Sequence, residues 1–248
     1  MPEQHKQRFY LTRVFLTNSF TIMKNQFLIV LFCFLFVAVM AQESEVRAVG
    51  TFRGVKVSEA IDVYLKKGEK ESVKVVATGT SPSNVLTEVS GSYLKVHMKE
   101  GNYRNRTVKV YVTYVNLDRI SSSSASNVFS EGTIKTGSME INASSAASVE
   151  ISLDAESVTV DVASAGDATL EGKAKSLSVE ASSAGSVDAY NLECENVDAS
   201  ASSAGSAKIS VSKDLNAEAS SGGSIRYRGS PSKTNSNASS GGSVKKSN

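Results

Sequence analysis

Residues 181–190 read ASSAGSVDAY, and the hexapeptide Ser182–Val187 within them returns along the chain. It reads SSAGSA from residue 202, SSGGSI from residue 220 and SSGGSV from residue 239. Aligned on the fourth residue of this motif, seven positions follow one another at spacings of 18 to 21 residues. A repeat close to 20 residues is typical of a solenoid in which each copy forms one turn. The seven positions are Ser126, Ala147, Gly166, Gly185, Gly205, Gly223 and Gly242.

Apolar and polar residues alternate on both sides of each motif. Before one motif, Val158, Val160 and Val162 alternate with Thr159 and Asp161. Such a period of two indicates a strand with one buried face. Each repeat is therefore predicted as strand, serine corner, strand and a more variable second corner, with copies stacked about 4.8 Å apart. The apolar columns of the next three turns are Leu177, Val179 and Ala181, then Val197, Ala199 and Ala201, then Leu215, Ala217 and Ala219.

The small residues of the motif are interpreted as structural corner pieces. Glycine tolerates positive φ and close packing, and serine hydroxyls can bond to nearby backbone groups. The alternative is a binding or ice-ordering surface of stacked serines, but the threonine arrays that suit such a surface are missing. In the last turn the apolar column becomes Thr234, Ser236 and Ala238, which predicts a polar cap on the open end. The predicted corner glycines are Gly166, Gly185, Gly205, Gly223 and Gly242.

The chain divides into four parts. Residues 1–22 are expected to precede the true initiator, Met23, and residues 23–41 have the charge, apolar run and small final residue of a signal peptide. A signal anchor that stays uncleaved is the alternative. Residues 47–116 form an N-terminal β region that either caps the solenoid or supplies its first, irregular turns, and residues 117–248 form the solenoid itself. The expected fold is all-β: a parallel β-helix with turns of about 19 residues.

Composition limits the possible partners and chemistry. Four of the 27 basic residues and one of the 25 acidic residues precede residue 42, so the mature chain is nearly neutral. No nucleic-acid partner is expected from that balance. The mature chain would hold one cysteine, Cys194, and one histidine, His97, which predicts neither an internal disulfide nor a zinc site. No metal or cofactor is expected, and no transmembrane segment beyond residue 41.

Several short segments together resemble one known family. They are Phe52–Val57, Ile61–Leu65 with Gly68, Tyr93–Val96, Val108–Val112, Leu117–Ile120 and the repeated Ser-Ala-Gly-Ser turns. In this order they are similar to the head GIN domain of auto-transporter adhesins, over residues 47–247. The resemblance implies a right-handed parallel β-helix exported by a Gram-negative bacterium, at the outer-membrane surface or in the periplasm. It brings no catalytic residues. Val115 departs from the proline expected there, and no translocating barrel is recognisable.

Some parallel β-helices are polysaccharide-cleaving enzymes, so outward-facing carboxylates are candidate catalytic residues. Asp161 and Glu180 lie one turn apart on outward positions and Asp198 lies on the next turn, which could suit a glycosidase pair or a weak calcium site. A solvated strand face is the better interpretation. His97 lies between lysines, and the acids beside Cys194 disfavour an activated thiol. Two S-x-x-K matches, at residues 210–213 and 230–233, are predicted to fall on strand and corner, whereas this motif works on a helix.

Exposed aromatic residues would favour sugar binding, and they concentrate before residue 130. Tyr64 and Tyr111 lie on the polar sides of their strands and are the candidate binding residues, together with the outward acids Asp161, Glu180 and Asp198. Asp188 and Lys208 are expected to form a cross-strand charge pair. We predict a non-catalytic, exported binding module that is multiplied by homo-oligomerisation and binds a host or cell-surface glycan or protein. The alternatives are a structural envelope protein without an external ligand and a polysaccharide-active enzyme.

Overall fold

The structure, a computed structural model, describes residues 43–247. The expected upstream extension (1–22) and signal peptide (23–41) lie outside the described residues. Alternating apolar residues produce strands almost throughout, with one short 3₁₀ turn at Pro82–Asn84. The strands are β1 Glu43–Ala48, β2 Gly54–Val57, β3 Asp62–Lys67, β4 Ser72–Thr78, β5 Val85–Ser90, β6 Tyr93–Met98, β7 Thr107–Tyr114, β8 Arg119–Ser122, β9 Asn127–Ala143, β10 Ser148–Val162, β11 Asp167–Ala181, β12 Ser186–Ala201, β13 Ser206–Ala219, β14 Ser224–Arg228, β15 Lys233–Ala238 and β16 Ser243–Lys246.

The repeats stack as a parallel β-solenoid, as the sequence predicted. Consecutive strands from β9 to β13 pair parallel and nearly in register; for example, Val160 lies opposite both Ile141 and Val179. We call the two strand segments that flank one serine corner a rung. The second corner is a bend inside a continuous strand. The parallel pairing of β10 with β11 continues through this bend and omits only Glu156 and Lys175.

The hydrophobic core is the stack of inward-facing columns along the solenoid. In the column after the serine corner, side chains are at most 1% exposed. Each rung covers the apolar face of its neighbours, so burial of this apolar area is the main stabilising contribution. The members of this column are Val128, Val149, Ala168, Val187, Ala207 and Ile225.

The N-terminal region supplies both rungs and a cap. Strands β2 and β3 pair parallel with β8 and β9, and β6 and β7 stack on the far side of β2 and β3. Residues 58–61 therefore form an additional corner, with positive φ at Glu59 and Ala60. Beyond β6 and β7, strands β4, β5 and β1 are antiparallel and end the parallel stack. The described residues thus form one continuous sheet across the 116/117 boundary drawn from sequence.

Strand β1 pairs with β4 of the cap, and the side chain of Arg47 adds a second attachment. Arg47 donates hydrogen bonds from Nη1 to the carbonyl oxygen of Val85 at 2.6 Å and to Oγ1 of Thr87 at 3.0 Å, and from Nη2 to the carbonyl oxygen of Pro82 at 2.8 Å. A hydrogen bond donated by a charged group such as a guanidinium is stronger than one donated by a neutral group. The opposite end has no such cover: every residue of β15 is exposed.

Candidate binding face

One outward-facing column runs through the segments that follow the corners, and its chemistry changes from one end of the solenoid to the other. Alternation along each strand points these side chains away from the core, and parallel register places them one above another. Aromatic residues occupy one end, acidic and neutral residues the middle, and basic residues the other end. In order, this outward column is Tyr111, Tyr64, Phe129, Glu150, Thr169, Asp188, Lys208, Arg226 and Lys245.

The aromatic end is a ladder of three stacked rings. The ring centroids of Tyr64 and Tyr111 lie 5.1 Å apart at an interplanar angle of 19°, and those of Tyr64 and Phe129 lie 5.2 Å apart at 23°. Such offset stacking is a favourable geometry for aromatic pairs. Tyr111 is 38% exposed, which is unusual for a large apolar ring in this protein. The structure therefore brings the two predicted tyrosines together and adds Phe129.

Sequence reasoning missed Phe129, although a signal was available. It lies three residues after Ser126, as Glu150 lies three residues after Ala147 and Asp188 three residues after Gly185. Extending the outward column backward by one repeat would have found it.

A shallow depression of about 300 Å³ lies beside the ladder. Its walls combine aromatic carbon with hydroxyl, ammonium and carboxylate groups, so it offers both a stacking surface and hydrogen-bonding partners. Two lysines and one glutamate give its rim a net positive charge. The lining residues are Tyr64, Lys66, Ser72, Lys74, Tyr111, Val112, Thr113 and Glu131.

The basic end of the column includes the predicted charge pair. Lys208 lies opposite Asp188, and its Nζ donates to Oδ2 of Asp188 at 2.9 Å. That hydrogen bond, more than the charge attraction alone, raises the pKa of Lys208 above its ordinary value. The guanidinium of Arg228 lies 5.3 Å from the centroid of the Tyr190 ring, and Lys208 Nζ lies 5.9 Å from it. Cations at such positions interact favourably with the ring.

The three outward acids do not form one site. Asp161 lies opposite Glu180, as expected, but Asp198 lies opposite Ser178, two positions away along the strand. The residue opposite Glu180 on the next rung is Ser200. Asp198 thus lies on the next turn, as the sequence predicted, but strand register places it in a different outward column from Asp161 and Glu180.

The remaining candidate nucleophiles and bases occupy structural positions. The Nδ1 atom of His97 lies 3.0 Å from its neighbour's carbonyl oxygen, that of Met98. Lys213 of the first S-x-x-K match bonds Glu195 at 2.7 Å. Cys194 is 4% exposed, and burial raises the pKa of its thiol to about 12. Burial, rather than the neighbouring acids considered from sequence, is thus the cause of the raised thiol pKa.

The thiol lies beneath a wider hollow of about 810 Å³ at the second corners. The charged walls of this hollow are already partly neutralised, since Lys213 pairs with Glu195 at 2.7 Å and Lys175 with Glu156 at 3.8 Å. Its other charged lining residues, Lys173 and Glu193, have opposite signs, so the walls as a whole carry little net charge.

The serine corners are tight turns whose backbone bonds link successive rungs. In residues 182–185, Ser183 and Ala184 have φ of 49° and 61°, and the Gly185 amide donates to the Ser182 carbonyl at 2.8 Å. This is the backbone pattern of a mirror-image β-turn. The Ala184 amide donates to the Ser203 carbonyl of the next rung at 3.1 Å.

The fourth residue of the corner is glycine for a reason other than positive φ. In all five copies its φ lies outside the left-handed region, which is occupied by the two residues before it. A Cβ at this position would lie 2.2–2.6 Å from a carbonyl oxygen of the preceding rung, so close backbone approach requires glycine. The five residues are Gly166, Gly185, Gly205, Gly223 and Gly242.

No group of three or more His, Cys, Asp or Glu side chains within residues 43–247 could hold a metal ion. In the same part of the chain no helix is long and apolar enough to cross a membrane.

Stacked rungs and serine corners define the class of fold: a parallel β-solenoid. The chain belongs to the family described as "Putative auto-transporter adhesin, head GIN domain", which matches residues 51–231. No curated protein matches the chain.

Solved structures support the same fold. A "putative adhesin" from Bacteroides fragilis NCTC 9343 superposes with a TM-score of 0.76 at 20% identity, covering 84% of this chain and 97% of the other. A "putative adhesin" from Parabacteroides distasonis ATCC 8503 has a TM-score of 0.68 at 21% identity, with 84% and 98% covered. A "putative lipid binding protein" from the same strain has a TM-score of 0.61 at 17% identity, with 84% and 97% covered.

Proposed function

We propose that this protein is an exported, non-catalytic binding module of the cell envelope that holds a carbohydrate in the depression beside Tyr64 and Tyr111. The observation that carries the proposal is the pairing of an exposed aromatic ladder with a polar-walled depression. Sugars present flat apolar faces and rings of hydroxyls, and this combination offers partners to both. Membership of an adhesin family agrees with a binding role.

The mechanism is recognition without bond cleavage. The exposed edge of the Tyr111 ring supplies apolar contact, while Ser72, Thr113 and Lys74 supply hydrogen-bond donors. One shallow site of this kind binds weakly, so useful avidity requires several copies. A homo-oligomer displayed at the outer-membrane surface would provide them, and its ligand would be a host or cell-surface glycan, or a protein that carries one.

The proposal is tested with the purified protein and a panel of immobilised polysaccharides. The chain contains eight tyrosines and no tryptophan, so tyrosine fluorescence reports ligand directly. We expect Tyr111→Ala to weaken binding at least about tenfold, the loss typical of a residue at the centre of an interface, and Tyr111→Phe to retain most of it. Tyr93→Ala is the matched control, because Tyr93 lies on β6 in another outward column. Equal losses in Tyr111→Ala and Tyr93→Ala would contradict the proposal.

The enzymatic alternative is tested separately. The variant Asp161→Asn/Glu180→Gln/Asp198→Asn removes all three outward acids, and each lies on an exposed strand position. A binding module should bind its polysaccharide as before. Polysaccharide cleavage by the unchanged protein that disappears in this variant would establish an enzyme instead.

The structural alternative is distinguished by location. Protease treatment of intact cells carrying a tagged copy is compared with treatment after the outer membrane is permeabilised. Cleavage in intact cells is expected for a surface adhesin, whereas cleavage only after permeabilisation would favour a periplasmic structural role.

A further inference from the structure

The basic end of the outward column has a charge pattern that the fold does not require. Lys208, Arg226 and Lys245 lie opposite one another on three successive rungs, and all three are exposed. Like charges directly opposite on neighbouring strands destabilise a sheet. Arg228 lies on the same strand as Arg226, two residues further along, and is also exposed. We call Lys208, Arg226, Arg228 and Lys245 the basic strip.

Neighbouring carboxylates neutralise little of this charge. Asp188 pairs with Lys208 at 2.9 Å. Glu193 lies in the column of Ser210 and Arg228 but is separated from Arg228 by a rung. Over residues 43–247, no salt bridge joins Arg226, Arg228 or Lys245 to an acid. The strip therefore retains free positive charge although the chain as a whole is nearly neutral.

Protection of the open end explains only part of the pattern. Lysines on an edge strand prevent it from pairing with another chain, and Lys245 lies on the last rung, in β16. Lys208 and Arg226, however, lie on rungs that are already covered on both sides. Their charges do not face an unpaired edge, so another cause is needed for them.

Hydroxyl groups flank the strip. In the adjacent outward column, Ser206, Ser224 and Ser243 lie in register on the same three rungs. On the other side, the Tyr190 hydroxyl lies 2.6 Å from Oγ of Ser247. A line of cations beside a line of hydroxyls can bind the anionic groups of a ligand and also form hydrogen bonds with its sugar hydroxyls.

We propose that the basic strip is a second binding site, for a linear anionic polysaccharide bearing sulfate or carboxylate groups. Lys208, Arg226 and Lys245 lie in single file along the solenoid axis about 4.8 Å apart, a distance comparable with one sugar unit of an extended chain, and Arg228 lies beside Arg226. A bound polyanion would relieve the repulsion between stacked cations and release its counterions. Attachment to an anionic membrane is less well matched, because such surfaces insert apolar side chains and serines flank this strip. The site is separate from the depression at Tyr111 and does not depend on it.

The test uses the full-length exported protein and heparin as the probe, with neutral dextran as the negative control. We expect Arg226→Gln/Lys245→Gln to weaken heparin binding at least about tenfold at low salt, and the salt dependence of binding to become less steep. The matched control is Lys56→Gln/Lys95→Gln, which removes another pair of lysines that lie opposite each other, on β2 and β6. Thermal unfolding of both variants checks that they remain folded.

Three results would overturn the inference. One is an equal loss of heparin binding in both double variants. The second is binding to duplex DNA as tight as binding to heparin, which would indicate a general polyanion surface. The third is tighter binding to phosphatidylglycerol vesicles than to heparin, lost in Arg226→Gln/Lys245→Gln, which would assign the strip to a membrane. Because Tyr111→Ala leaves the strip intact, its heparin binding should be unchanged whether or not the depression binds sugar.

Discussion

At the scale of single residues, the solenoid depends on how closely successive backbones approach at the serine corner. The left-handed positions are filled by Ser183 and Ala184 and their equivalents, which tolerate that conformation at some energetic cost. The following glycine has no such backbone requirement and is fixed by contact alone. Ser126 and Ala147 hold the same place in the first rungs, and Ser126 is fully buried with its hydroxyl 2.7 Å from the carbonyl oxygen of Ser123.

Gly205→Ala should therefore destabilise the fold. Its Cβ would lie 2.2 Å from the carbonyl oxygen of Ala181, so the two rungs must separate. We expect the free energy of unfolding to fall by about 1–3 kcal/mol, the usual cost of overpacking. Gly137→Ala is the matched control, since nothing lies within 4 Å of the added Cβ and its φ is not left-handed. Guanidinium titration of both variants measures the difference, and equal midpoints would show that the corner can relax.

Cys194 should make the fold less stable in alkali. Its thiol pKa rises from 9.0 to about 12 on burial, so the folded protein holds the proton that the unfolded chain releases. The stabilising contribution is complete below pH 9 and is lost as pH rises toward 12, at no more than about 1.4 kcal/mol per pH unit. Comparing the pH dependence of unfolding in the unchanged protein and in Cys194→Ala cancels the contributions of other groups. The variant should show the shallower decline between pH 9 and pH 10.5; identical slopes would mean that the thiol titrates normally.

At the scale of strands, the sequence predicted the features of the fold that recur in every turn. Alternation and the 18–21-residue spacing were sufficient to place Asp188 opposite Lys208, because every turn repeats the same register. The corner at residues 58–61 was not predicted, since only Ser58 and Ala60 match the motif. The contact between Tyr64 and Tyr111 was also hidden, because β4, β5 and β6 intervene in sequence before β7 returns to stack on β3.

Strand β15 is an edge strand whose polar residues protect it from self-association. Thr234 and Ser236 continue inward columns that hold Leu215 and Ala217 on the rung below. Thr234→Val/Ser236→Val would extend the apolar core to the open end and leave unpaired backbone groups beside it, a favourable surface for edge-to-edge pairing. We expect concentration-dependent association, measured by light scattering after gel filtration.

The control for this edge variant is Asn235→Val/Asn237→Val, which adds two valines to the outward side of the same strand. It should remain in the assembly state of the unchanged protein. Association of the control to the same extent would mean that total hydrophobicity, rather than the inward face of β15, governs self-association.

At the scale of the whole molecule, stability is predicted to decrease along the solenoid toward its open end. In a stacked repeat each rung is stabilised mainly by its neighbours. The inward columns of β9 and β10 contain mostly valine, isoleucine and leucine, but alanines such as Ala168, Ala199 and Ala217 replace many of them from β11 to β13. Alanine buries less apolar area per rung, and the last rung has an exposed strand and a single neighbour.

Hydrogen exchange should therefore show a gradient and not one global rate. Amides of β15 and β16 should exchange fastest, those of β13 and β14 more slowly, and those of β9 to β11 slowest, because local opening requires only the rungs beyond it to separate. The N-terminal end should remain protected, since β4 and β5 cover it and Arg47 holds β1 to residues 82–87. Mass spectrometry of peptides that span each rung measures the order. Uniform protection from β9 to β16 would show that the solenoid opens as one cooperative unit, and its Ala-rich rungs would then owe their stability to the backbone ladder rather than to their smaller core.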